Sequence, residues 1–287
     1  MGVHITIDEM IDRTADLPVI PAVALRIMHE ADSNTTSASQ IAMLLARDPA
    51  LASRVLRLAN SAYYGLSGQV FGLKEAVVVL GLRCVKNLAL VAASYPWLSK
   101  PLHGYGLEPK DLWMHSHGTA VAAMLVAQRS GRLRDDEAFT AGLLHDIGKL
   151  AMNVWLERKT EALIQLSTLN GWSFVECERT VLGYDHGQVG GRLAERWNLP
   201  LSVIDSARYH HEPDERPDPS LVVDAVHLGD YLASVLGFGL GADGLQYALQ
   251  PNTLVRLGLH PQDIDRIADD LERERRLQAD SFEEIVA

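Results

Sequence analysis

Leu143-Leu144-His145-Asp146-Ile147-Gly148-Lys149 sets an imidazole and a carboxylate side by side at the end of an apolar run. Both are costly to bury without partners, and a bound metal ion is one way to offset that cost. Lys149 follows His145 by four residues, so on a helix the two share a face. A cation one turn from a metal ligand is placed to meet a phosphate. His-Asp pairs also arise by chance, and a core histidine can satisfy itself on a backbone carbonyl. The pair therefore gains weight only from further ligands.

Those ligands are concentrated in the second half of the chain. His115 and His117 fall in an apolar stretch beginning near Asp111. Two residues apart means about 200° of rotation on a helix, so only one of them can face a given pocket. His186 follows a turn at Gly183-Tyr184-Asp185, and His210-His211 close a segment that starts near Pro200. His227 and Asp230 have i, i+3 spacing and share a face. His117, His103, His227 and His260 read more simply as core or surface residues, and Asp185 and Asp218 as helix caps. Glu212 reads as a supporting or merely exposed residue beside Pro213. What remains is His115, His145, Asp146, His186, His210, His211 and Asp230. A mixed imidazole and carboxylate set suits Mn, Fe, Zn, Co or Ni better than calcium. Seven candidates exceed one tetrahedral ion and suit two.

The elements that must position them are helices. Thr6 with Glu9, Ser37 with Gln40, Ser173 with Glu176 and Asp185 with Gln188 have capping-box spacing. Apolar residues then recur at helical intervals, as in Ile41, Leu44 and Leu45, and no run alternates as a strand would. Breaks are expected at Tyr64-Gly65, Asn170-Gly171, Leu199-Pro200 and Glu212-Pro213. Ser94 to Pro109 holds Pro96, Pro101, Gly104, Gly106 and Pro109, too many breakers for a continuous helix. The expected organisation is all-α and two-lobed. A helical bundle spans 1–105, a metal-site lobe 106–260, and a charged terminal helix 261–287 docks by one apolar stripe.

Composition narrows the function. A net charge of −11 argues against a nucleic-acid surface, which needs clustered Lys and Arg. No apolar run approaches the length of a membrane span. Cys84 and Cys177, far apart and without CxxC spacing, read as reduced residues of a cytoplasmic protein. The first residues fit the myristoylation pattern only as a short, permissive match.

The order His115, His145-Asp146, Asp230 resembles the HD superfamily of metal-dependent phosphohydrolases. Leu17-Pro18-Val19-Ile20-Pro21-Ala22-Val23, Asp48-Pro49-Ala50-Leu51, Leu56 to Gly65 (LRLANSAYYG) and Ala76 to Arg83 (AVVVLGLR) follow the HDOD pattern, HD-related output domains of bacterial signalling proteins. The resemblance runs from about residue 15 to about residue 240. It implies a signalling role beside receiver, cyclic-dinucleotide or kinase modules, and no such module is read in this chain. The row His115, His145, Asp146, Lys149, His186, His210, His211 and Asp230 also matches the HD-GYP phosphodiesterases, with Glu212 completing an HHE triplet. Pro213 to Pro219 lacks their Gly-Tyr-Pro, so the substrate-side loop must differ.

Two functions follow from the resemblance. One is a regulatory protein that binds a signalling partner or a phosphorylated small molecule and keeps an HD-type metal site. The other is an active phosphohydrolase, with one or two divalent ions held or bridged by Asp146 and phosphoryl charge offset by Lys149.

Overall fold

The computed structural model describes residues 5–15, 17–31, 35–61, 68–239, 241 and 248–279. The architecture is all-α. All four capping boxes form: Thr6 opens α1 (Ile7–Arg13), Ser37 opens α3 (Ala38–Leu45), Ser173 opens α11 (Phe174–Leu182) and Asp185 opens α12 (His186–Arg196). Each pairs the cap side chain with a backbone N–H and returns the third residue's side chain to the cap, satisfying two orphan donors. The expected breaks at Asn170-Gly171, Leu199-Pro200 and Glu212-Pro213 all separate elements. The one at Tyr64-Gly65, the end of the LRLANSAYYG motif and the start of the myristoylation pattern lie outside the described residues.

Contacts divide the chain into two compact units. One holds Val19–Trp97 with Glu272–Ala287, the other the chain up to Pro18 with Leu98–Leu271. In the first, α2 (Ala22–Ala31), α3, α4 (Pro49–Ala59) and α5 (Leu73–Leu80) bury Ile27, Ile41, Leu45, Val55, Leu58 and Val77. Asn60, at the end of α4, takes the Val70 N–H on its Oδ1 at 2.7 Å and gives its Nδ2 to the Val70 carbonyl at 2.8 Å. One side chain thereby imitates a backbone partner for the loop leading into α5. The helix α6 (Leu82–Leu98) corrects the reading of Ser94–Pro109 as a run of breakers, because it continues through Pro96. Proline has no N–H to give the carbonyl four residues back. Arg54 Nη1 donates to that Ala92 carbonyl at 3.3 Å instead.

The second unit is built on α7 (Asp111–Ser130), α8 (Asp135–Leu144), α9 (Gly148–Leu156), α10 (Thr160–Asn170), α11, α12, α13 (Leu201–Tyr209) and α14 (Leu221–Val235), closed by α15 (Pro251–Leu257) and the first part of α16 (Pro261–Ala279). Here the observed division departs from 1–105, 106–260 and 261–287. The N-terminal α1 packs on α9 and α12, where Arg192 and Arg196 pair with Asp8 and Arg196 with Asp12. Leu98 to Tyr105 joins the same unit, with the Gly104 N–H on Asn153 Oδ1 at 2.8 Å. Asp263 of α16 binds Arg129 of α7 at 2.9 Å, and Ile267 and Leu271 form the helix's buried stripe. Among the described residues no helix is long and apolar enough to cross a membrane.

Candidate metal centre

Two close approaches bring the candidate ligands together. A Cβ on Gly142 of α8 would lie 2.8 Å from the Ala120 Cα, so α7 and α8 pack backbone to backbone. A Cβ on Gly148 would run into the His186 carbonyl, so α9 meets the start of α12 the same way. The consequence is that α7 delivers His115, the α8–α9 turn His145 and Asp146, α12 His186, the end of α13 His210 and His211, and α14 Asp230.

All seven converge, around Asp146. Its Oδ2 lies 3.5 Å from His115 Nε2 and 3.4 Å from His145 Nε2. Asp230 Oδ1 joins that side at 3.0 Å from His115 Nε2 and 3.8 Å from His145 Nε2. Asp146 Oδ1 faces the other way, 3.3 Å from His186 Nε2 and 3.6 Å from His210 Nε2. His211 Nε2 completes this second side, 2.8 Å from His186 Nε2. Asp146, His115, His145, His186, His210 and Asp230 are buried, and His211 is half-buried.

Tautomers follow from the neighbours. His145 Nδ1 is 2.7 Å from the Gly142 carbonyl, which can only accept, so Nδ1 carries the proton. Burial drives the His145 pKa down to about 4, against the opposing pull of Asp146 and Asp230. The ring is thus neutral near pH 7, and its Nε2 lone pair, buried without a hydrogen-bond partner, is turned toward carboxylate oxygens. Lone pair facing lone pair is repulsive, and a cation between them resolves it. The donor set fits a transition-metal ion. His210 Nδ1 likewise donates to the Ser206 and Ala207 carbonyls at 3.1 and 3.0 Å, which turns its Nε2 to Asp146. Burial raises the Asp146 and Asp230 carboxyls, but the neighbouring histidines, and Lys149 for Asp146, outweigh it and hold both well below the usual carboxylate range.

Lys149 does not extend into open space. Its ammonium lies on Asp146 Oδ2 at 2.5 Å and 5.7 Å from the Tyr105 ring centre. Glu212 is turned away from the cluster: both its oxygens take N–H groups of Arg179, whose Nε donates to Asp185 Oδ2 at 2.6 Å. Beside His211, a cavity of about 560 Å³ is lined by Arg179, Glu212, Glu176 and Gln250. Of the histidines read as core or surface, His117 packs between Trp113 and Phe139, and His103 and His260 are exposed. Asp185 caps α12, and Asp218 is exposed.

Two supporting residues, Tyr105 and Glu178, escaped the sequence reading, and a third, His227, is the buried core residue it was read as. His227 donates from Nδ1 to the His210 carbonyl at 2.5 Å and accepts from the Gln250 N–H at 2.9 Å, fixing the backbone that carries His210. Glu178, fully buried, accepts from His186 Nδ1 and from Tyr105. Glu178 was legible in principle: with Phe174 and Cys177 it lies at i, i+3 and i+4 on the apolar stripe of α11.

The HDOD domain family profile matches residues 17–213. A protein of Treponema pallidum (strain Nichols) is 29% identical over 211 residues, covering 72% of this chain and 40% of that one. The chain thus spans about two-fifths of the length of this curated relative. Its fold is similar to that of an HDOD domain protein from Geobacter sulfurreducens, with 28% identity, a TM-score of 0.72 and coverage of 96% and 88% of the two chains. It is also similar to a "Putative signal transduction protein" from Marinobacter aquaeolei VT8, with 25% identity, a TM-score of 0.75 and coverage of 97% and 62%. With the family profile matching well over half of its residues, the chain belongs to the HDOD family.

Proposed function

We propose that this chain is a regulatory output protein of bacterial signal transduction, acting in the cytoplasm, whose larger unit holds two divalent transition-metal ions. The observation that carries the metal assignment is the division of labour at Asp146. One oxygen faces His115 and His145, with Asp230 beside them, and the other faces His186 and His210, with His211 on His186. The signalling role is supported by the Marinobacter similarity. A regulatory rather than catalytic use is supported by the cations beside the cluster: Lys149 is committed to Asp146, and Arg179 to Asp185 and Glu212.

The unit containing Val19–Trp97 is the proposed docking module. That stretch carries seven Lys or Arg against four Asp or Glu, within a chain of net charge −11. A groove of about 790 Å³ is lined by Ala46, Pro49, Ala52, Leu56 and Val70, with Phe71 at its edge 79% exposed. Apolar lining in a locally basic stretch fits an acidic amphipathic helix of the partner. Fluorescence anisotropy with synthetic helical peptides tests it: an acidic amphipathic peptide binds and its charge-reversed counterpart does not. Equal binding of both sinks the assignment.

A second reading, metal-dependent hydrolysis of a phosphorylated small molecule, is favoured by the cavity beside His211. Bound ions would supply Lewis acidity and a more acidic water there. In that case Asp146 holds both ions and Lys149 offsets phosphoryl charge. Turnover of bis(p-nitrophenyl) phosphate by the Mn-loaded protein, abolished in Asp146→Ala, would establish it. The regulatory reading expects none.

A further inference from the structure

Glu178 has no place in the ligand row, yet it is among the most completely committed side chains of the protein. It is fully buried on α11. Its Oε2 accepts both the His186 backbone N–H at 2.9 Å and the His186 Nδ1–H at 2.8 Å. Its Oε1 accepts the Tyr105 hydroxyl at 2.6 Å. Tyr105 is itself fully buried, with its ring edge-on to His186 at 6.2 Å between centroids. Both carboxylate oxygens are thus fixed, and the charge is delivered to one imidazole nitrogen, leaving His186 Nε2 turned to Asp146 and His211.

Among these histidines His186 differs from His145 and His210 in this respect. His145 and His210 rest their Nδ1–H groups on neutral backbone carbonyls, whereas His186 rests on an anion. A carboxylate behind a ligating histidine fixes its tautomer and raises its basicity as a donor. We infer that Glu178, held in place by Tyr105, is the positioning residue of the His186/His210/His211 ion, and that this position depends on it while the His115/His145/Asp230 position does not. The inference rests on the two-ion reading above.

The test uses the full chain, stripped by chelation and titrated with Co(II). The d–d absorption follows each binding class, and elemental analysis after gel filtration counts retained ions. Wild type is expected to retain two ions. Glu178→Gln keeps an acceptor but removes the charge, and should weaken one class about 10- to 100-fold while leaving the other's affinity and spectrum unchanged. Tyr105→Phe, which loses a single hydroxyl, should weaken the same class by less, and carries the test should Glu178→Gln fail to fold. Two unchanged classes in the folded variants, or equal weakening of both, would overturn the inference. Wild type that takes up no Co(II) would instead overturn the two-ion reading on which it rests.

Discussion

His186 and His211 meet Nε2 to Nε2 at 2.8 Å. His186 has already given its Nδ1–H to Glu178, so this contact needs either a proton or a cation between the two rings. Burial disfavours charge on His186, but Glu178 and Asp146 outweigh it and raise its pKa to about 10. The metal-free protein thus holds a proton where an ion would sit.

Metal uptake should therefore expel that proton. Calorimetry at pH 7.5 in buffers of different ionisation enthalpy should report release of about one proton per chain from this position, and affinity should rise with pH up to about 10. A buffer-independent heat and a flat pH profile would remove the His186 proton from the scheme.

Asp146→Ala should empty both positions, because each oxygen serves a different set of histidines. Elemental analysis of protein purified without chelator should fall from about two ions per chain to near none. An ion fully retained in the variant would mean that Asp146 is not shared.

Acid should unfold the metal-free protein through histidines buried in the neutral form. Burial lowers His117 and His227 to about 4 from an ordinary 6.5. The unfolded chain binds these protons first, so their contribution is complete above pH 6.5 and is lost as pH falls toward 4. Melting temperature should drop steeply across that window, and less steeply in His117→Gln. Parallel pH profiles for the two proteins would place the acid sensitivity elsewhere.

Gly148→Ala tests the close approach that positions His186. The added Cβ meets the His186 carbonyl and the Gly190 amide, both backbone, so relief requires α9 and α12 to separate. A cost of about 3 kcal/mol is expected, at the upper end for overpacking, together with weakened metal binding. Urea unfolding that shows no loss of stability would contradict the packing described.

Much of this site was legible because helical geometry is local. Two-residue spacing on one helix predicts that His115 and His117 cannot both face the cluster, and only His115 does. The capping boxes were legible for the same reason. What escaped needed tertiary information. Pro96 reads as a breaker until Arg54, 38 residues before Ala92 in the first unit, serves the Ala92 carbonyl that the proline leaves open. Tyr105 lies among glycines and a proline that read as linker, and only the fold brings its hydroxyl to Glu178, 73 positions on.

The clasp of Asn60 on Val70 separates holding the groove's edge from shaping its lip. The loop is fastened through main-chain atoms, so neither Val70 nor Phe71 has to supply the fastening with its side chain. With this asparagine in place the residue at the lip can be exchanged without loosening the loop. A single substitution at Phe71 is then a change of vocabulary, not of grammar.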